Sequence, residues 1–314
     1  MELKEFVMEI AKGIETRLEG VKVTPTETLK NNGVVQHGVA IRMEEEKVSP
    51  ILYVDMFFKK FKKGELTMPD IVKRVVSDYQ DLPAHGIPDI TEWLGGDDLI
   101  DRIKIRLLNK KANEDMITTR KLVSYDIADT DLVALFYIEV VADDESVGDT
   151  GLTYYMLERF LPEIANEEEL FNEVLSGITD DDVELSTMRE VICGLVERAD
   201  GDLEDIPIDD TKMFVLSNTK MHYGAFVILS EAARKKILNK ISNGMVTVLP
   251  SSVHELILLP TTEDEDIEEL VEMVGQVNRT EVSEEQVLSN NVYHYDANTG
   301  KLIIAGSASD EVDV

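Results

Sequence analysis

Along this 314-residue chain the spacing of apolar positions changes, and each change marks an element. Phe6, Val7, Ile10, Ile14 and Leu18 recur at helical spacing, so residues 2–18 read as an amphipathic helix that Gly20 is placed to end. Residues 21–29 and 34–42 are strand-like. Asn31-Asn-Gly33 between them tolerates positive φ and signals a hairpin, and residues 50–54 supply a third strand. Thr67 caps a helix whose apolar face is Ile71, Val72, Val75, Val76 and Tyr79.

Residues 83–98 carry prolines, glycines and the sole tryptophan, Trp93, and read as a connector. Beyond it, residues 103–108, 132–141 and 151–157 are strand-like. Asn166 and Ser186 open helices, the second carrying Cys193. Residues 213–216 and 225–229 read as strands, and Ser230 caps a helix. Residues 246–249 and 255–259 are strands around Pro250. Thr262 with Glu265 forms a capping box for a helix that Gly275 closes. Residues 291–295 and 301–305 form a terminal hairpin.

Several strand pairs are joined by loops too short for a parallel crossover. The expected fold is therefore α+β: a mainly antiparallel sheet flanked by helices, with a smaller N-terminal helix–hairpin–helix module. The expected division is a module at 1–82, a connector at 83–98, an acidic α+β domain at 99–305 and a tail at 306–314.

Charge changes this picture in one respect. Residues 1–126 carry 20 Lys+Arg against 22 Asp+Glu, and residues 127–314 carry 11 against 41, together giving the net −32 of the chain. The front is nearly neutral and the back is a polyanion. This repels anionic lipid and nucleic acid and invites basic partners. The basic cluster Lys59–Lys63, interleaved with Phe57, Phe58 and Phe61, is too small to reverse that. It reads as a solvated helix face with its phenylalanines in a core, so direct nucleic-acid binding is disfavoured. A single cysteine, Cys193, fits a reducing compartment and reads as a buried structural thiol. The N-terminus has no signal-peptide pattern and no run spans a bilayer, so a cytoplasmic protein is expected.

Candidate chemistry is sparse. His254-Glu255 lacks the second histidine of a zinc-protease helix, because position 258 is leucine. No Gly-x-Ser-x-Gly elbow surrounds Ser251 or Ser252. The acidic run 200–205 lacks the glycine and glutamate that a calcium loop needs at its sixth and twelfth positions. No phosphate-binding glycine loop is present, so no cofactor and no metal site is expected. Polar residues between apolar strands can still line a pocket, which leaves Ser251, Ser252, His254 and Glu255 as binding candidates, with His222 from Met221-His-Tyr-Gly224. His294 reads as a surface residue on an edge strand.

Certain blocks are distinctive: Lys30-Asn-Asn-Gly33, Ile41-Arg42, Ser49-Pro50, Ile105-Arg-Leu-Leu-Asn109, Met213-Phe-Val-Leu-Ser-Asn218, Gly224-Ala225 and above all Val248-Leu-Pro-Ser-Ser-Val-His-Glu-Leu-Ile257. Val277-Asn278, Glu281-Val282, Leu288-Ser289 and Val292-Tyr293 follow near the end. Together they resemble a bacterial domain-of-unknown-function family of acidic cytosolic proteins, common in anaerobic Gram-positive gut bacteria. The resemblance implies a cytosolic bacterial protein and brings no activity, cofactor or catalytic residue.

Two functions are weighed. One is a non-catalytic interaction protein whose polyanionic C-terminal half engages a basic or nucleic-acid-binding partner. The other is an enzyme of unrecognised type with a site near Ser251–Glu255 and His222. The missing catalytic constellation favours binding over catalysis.

Overall fold

The computed structural model describes residues 1–43, 49–81, 99–140, 152–156, 166–198 and 213–308. The connector at 83–98, the acidic runs at 143–145 and 200–210 and the end of the tail lie outside the described residues. Strand pairing is antiparallel in each sheet and helices flank the sheets, so the fold is α+β. The chain divides into two compact units. The smaller takes in residues 1–81 with 140 and 152–153, and the larger takes in 99–139 and the described residues from 154 onward.

In the smaller unit, α1 (Leu3–Glu15) packs on a sheet of β1 (Val21–Leu29), β2 (Val35–Met43) and β3 (Ile51–Tyr53). The β1–β2 turn has Asn32 at φ 57° and Gly33 at φ 75°, as the Asn-Asn-Gly sequence requires. Two further helices complete the layer, α2 (Asp55–Lys62) and α3 (Met68–Gln80), the latter with a Thr67–Asp70 capping box. Phe6, Ile10, Ile14, Val39, Ile41 and Ile71 are fully buried at the centre. Phe58 and Phe61 of α2 close on Phe6 with ring centroids 5.1 and 5.3 Å away, so the basic cluster is the outer side of a helix whose aromatic residues turn inward.

The larger unit begins with a short turn, α4 (Leu99–Arg102), and holds two sheets. In the first, β4 (Ile103–Asn109) pairs with one side of β6 (Leu132–Val140), while β5 (Ser124–Asp126) pairs with the other; β7 (Leu152–Tyr155) also joins β6. Two helices, α5 (Lys110–Arg120) and α6 (Glu167–Ser176), lie beside it, capped by the side chains of Asn109 and Asn166.

The second sheet has six strands in the order β13-β12-β10-β11-β9-β8. These are β8 (Val183–Thr187), β9 (Phe214–Asn218), β10 (Met245–Pro250), β11 (Leu256–Pro260), β12 (Val292–Asp296) and β13 (Lys301–Gly306). Three helices accompany it: α7 (Met188–Arg198), α8 (Glu231–Lys240) and α9 (Ile267–Thr280). Val246, Val248, Leu258, Tyr293 and Tyr295 share one buried face by register. On the other face Leu249 and Val292 pack against Val271 and Val274 of α9. The end strand β8 is shielded by α8, whose Lys236 and Lys240 ammonium groups donate to the carbonyls of Val183 and Leu185.

One carboxylate bonds to both sheets of this unit. Asp131, in the turn before β6, accepts from the Asn109 side chain at 2.7 Å, from the Ser289 hydroxyl at 2.8 Å and from the buried Tyr293 hydroxyl at 2.5 Å. Burial, then the neighbouring Asp131 charge, raises the Tyr293 phenol well above its ordinary pKa.

The structure corrects five expectations. Residues 225–229 are a 3₁₀ turn (Gly224–Leu229), not a strand. A continuously apolar run has no period to separate the two, and β9 already has β8 and β11 on its two sides. Gly275 does not close α9, which runs on to Thr280; it is a buried position inside the helix. The cap of α9 is Asp266 rather than Thr262, because Glu265 turns away to accept from the Thr247 hydroxyl. The helix expected from Ser186 starts at Met188, since 183–187 is strand β8 with Thr187 and Glu190 bonded at its end. His294 lies on β12, between β13 and β10, so it is not on an edge; its imidazole is 3.5 Å from Glu265. Cys193 is half-buried.

Candidate functional site

The segment from β9 to the 3₁₀ turn is held by side chains that imitate backbone. The Asn218 amide donates to the His222 carbonyl at 2.8 Å and its oxygen accepts the His222 N–H at 3.1 Å. This clamp holds Met221 at φ 51° and Tyr223 at φ 50°, left-handed values that cost non-glycine residues about 1–2 kcal/mol each. Gly224 follows where no side chain fits. A Cβ there would stand 2.2 Å from Ser217 Oγ, 2.4 Å from Asn218 N and 2.8 Å from the His254 carbonyl oxygen. The Ser217 hydroxyl donates to that same carbonyl at 2.7 Å.

This packing brings His222 and His254 together, with imidazole centroids 5.3 Å apart. Tyr223 lies against both: 4.0 Å from His222, and 5.2 Å from His254 with the planes within 21°. The Arg106 guanidinium sits 4.3 Å from the Tyr223 ring centroid, and Tyr137 meets that ring edge-on at 6.0 Å. Arg106, Tyr223 and His254 thus form a column, with the guanidinium buried at its base and His222 exposed at its rim.

The protonation of His254 follows from its contacts. The Tyr223 backbone N–H donates to His254 Nδ1 at 3.0 Å, so Nδ1 carries the lone pair and Nε2 the proton. Burial, then the neighbouring His222 and Arg106, lowers its pKa and keeps the ring neutral. A general base needs a free lone pair, and the one this ring has is committed to the backbone. His254 can donate through Nε2 and stack.

The other candidates serve different partners. Ser252 Oγ accepts the His254 N–H at 3.0 Å, and the Ser252 N–H donates to the Glu255 carbonyl, closing a turn. Ser251 Oγ donates to Glu255 Oε1 at 3.3 Å. Neither hydroxyl reaches an imidazole through these bonds, so the five candidates divide into a histidine pair, a Ser251–Glu255 pair and a turn serine. Arg106, Tyr137 and Asn218 were not among the sequence candidates. Arg106 alone left a signal, a cation inside the apolar run Ile103–Leu108.

A second candidate surface is the outer side of α9. Val271, Val274 and Asn278 face inward, the Asn278 amide donating to Ser289 and Asn290. Glu268, Glu269 and Glu272 face solvent, as do Glu263, Asp264 and Asp266 just before the helix. Beside them Met273 and Val277, four residues apart, are 47% and 43% exposed. Among the described residues, no group of three or more metal-ligating side chains is assembled, and no helix is long and apolar enough to cross a membrane.

No curated protein and no solved structure matches the chain. The model of a family of unknown function, DUF5688, matches residues 3–297. That match spans both units and nearly the whole sequence, so the chain belongs to the DUF5688 family.

Proposed function

We propose that this is a non-catalytic interaction protein of the bacterial cytoplasm, and that its acidic larger unit engages a basic protein through the outer face of α9. The observation that carries this reading is the pairing of carboxylates with exposed apolar side chains on that face. The helix dipole accounts for acids in the first turn. It does not account for Met273 and Val277 left in water on the same side as Glu269 and Glu272. A basic amphipathic segment satisfies both features, since its cations meet the carboxylates and its apolar side chains cover the pair.

The test is a pull-down with tagged protein from native-host lysate at low and at high salt, with bound material identified by mass spectrometry. A basic protein held at low salt and released at high salt is expected. Covering the exposed parts of Met273 and Val277 is worth about 1 kcal/mol each. Met273→Ser with Val277→Ser should therefore weaken the purified complex by about ten- to thirtyfold. Glu268→Gln, Glu269→Gln and Glu272→Gln together should reduce its salt dependence. Unchanged affinity in both variants, with unchanged circular dichroism, would exclude this face.

The Arg106–Tyr223–His254 column favours a second reading, a small-ligand site in the larger unit, because it groups cationic and aromatic side chains on a strained turn. Chemical shifts of His222 and His254 that move together on addition of one library compound would support it, and His222→Ala should reduce that affinity.

A further inference from the structure

The smaller unit contains a cavity of about 410 Å³ between α1 and the β1–β2 hairpin, lined by none of the side chains of the two candidate sites. α1 lines it with Lys4, Val7 and Met8, and the hairpin with Pro25, Thr26, Glu27 and His37, so both walls carry apolar and polar side chains. His37 is ordered from behind. Asp55, at the start of α2, accepts the His37 backbone N–H at 2.8 Å through Oδ2, and its Oδ1 is 3.0 Å from His37 Nδ1. A carboxylate there holds the Nδ1 proton, so in the neutral ring Nε2, the nitrogen toward Glu27, carries the lone pair. Glu27 pairs with His37 across the strands, and its Oε1 is 3.9 Å from Nε2.

That distance is too long for a hydrogen bond and suits one group placed between two acceptors. A nitrogen about 2.9 Å from each, the usual hydrogen-bond length, fits the gap and gives each acceptor its own N–H. A cation is favoured there, because Glu27 and Asp55 flank the imidazole. The chain supplies an internal stand-in: the Lys4 ammonium, on an exposed side chain, already stands 3.5 Å from the same Glu27 oxygen. A carboxylate or phosphate ligand would meet Glu27 and is disfavoured. Among the described residues no third ligand joins His37 and Glu27 for a metal ion, and the Lys4 cation stands beside them.

We propose that this cavity binds a primary amine, its ammonium bridging His37 Nε2 and Glu27 Oε1 and its apolar body lying on Val7, Met8 and Pro25. The amine belongs either to a small alkylamine or to the free N-terminus of a polypeptide with an apolar first residue. Lys4 is the competitor it displaces from Glu27.

The test uses the full chain at about pH 8, with hexylamine as probe, followed by calorimetry and by the His37 imidazole resonances. Hexylamine should bind and shift those resonances, while hexanol and hexanoate bind at least about tenfold more weakly, the worth of one charge-assisted hydrogen bond. Glu27→Gln should weaken hexylamine by a similar factor. Lys4→Ala should tighten it, because the internal cation is gone. A general loss of structure cannot produce opposite signs in these two variants. A short peptide with N-terminal leucine that competes with hexylamine, when its acetylated form does not, assigns the site to polypeptide N-termini. Failure of both peptides assigns it to small amines. Equal binding of hexylamine and hexanol, or equal hexylamine affinity in wild type, Glu27→Gln and Lys4→Ala, overturns the proposal.

Discussion

Replacing Asp131 with alanine removes one carboxylate and leaves three donors, on Asn109, Ser289 and Tyr293, without their acceptor. Each hydrogen bond to a charged group is worth about 1.5–3 kcal/mol. The simple total, roughly 4.5–9 kcal/mol, is an upper bound, because members of one network are not additive and small hydroxyls can reorient. Ser289 can turn its hydroxyl, but Tyr293 is 1% exposed and its ring is fixed in the sheet core. A loss of about 3–5 kcal/mol is expected, a large fraction of the roughly 5–15 kcal/mol that holds a typical protein folded. Tyr293→Phe removes one of the three bonds and should cost about 1.5–3 kcal/mol. Its cost on top of Asp131→Ala should be much smaller, since the two side chains share that bond. Urea unfolding followed by circular dichroism gives the total. Hydrogen exchange, read separately on peptides from β4, β12 and the smaller unit, assigns it. Faster exchange in β4 and β12, with the smaller unit unchanged, is expected. An Asp131→Ala cost below about 1 kcal/mol, or costs of the two variants that simply add, would refute the view that this carboxylate ties the two sheets.

Three further outcomes follow from local chemistry. Gly224→Ala should destabilise the larger unit by about 2–4 kcal/mol, because two of the three atoms its Cβ meets are backbone that cannot swing aside; a melting temperature within error of wild type would contradict this. His254 should titrate below the ordinary value of 6.5 in an NMR pH series, since burial comes first among the causes, then His222 and Arg106. Its folded pKa is depressed, so its contribution to stability is present above 6.5 and lost as pH falls from there toward the folded pKa, and His254→Gln should flatten that slope. Tyr295, raised mainly by burial from 10 to about 12, stabilises the fold fully below pH 10 and loses about 2–3 kcal/mol as pH climbs to about 12; Tyr295→Phe should remove that alkaline dependence.

Most local elements followed from the order of residues alone. The Asn-Asn-Gly turn fixed the β1–β2 hairpin, because only residues that accept positive φ can close it. Thr67, Asn166 and Ser230 marked the starts of their helices, because a short polar side chain can reach the free N–H groups of a first turn. Short antiparallel connections made the sheets legible. The sequence was silent wherever the deciding partner lay far along the chain. Nothing near residues 225–229 showed that β9 would already have a strand on each side, and nothing near Gly275 showed that α9 would run on past it to Thr280.

The candidate sites divide in the same way. The residue types His222 and His254 stood out in the chain, but their meeting depends on a turn clamped by Asn218 and a glycine that fits only beside Ser217 and the His254 carbonyl. Arg106 enters that column from the other sheet of the unit, 117 positions before Tyr223. The facing of His37 toward Glu27 and Asp55 likewise needs a strand register and a helix start to coincide. Periodicity and caps act within a few residues, so sequence alone determined the elements and the uneven charge. Electrostatics, stacking and steric fit act through space between distant segments, so only the tertiary structure decided which side chains share a site.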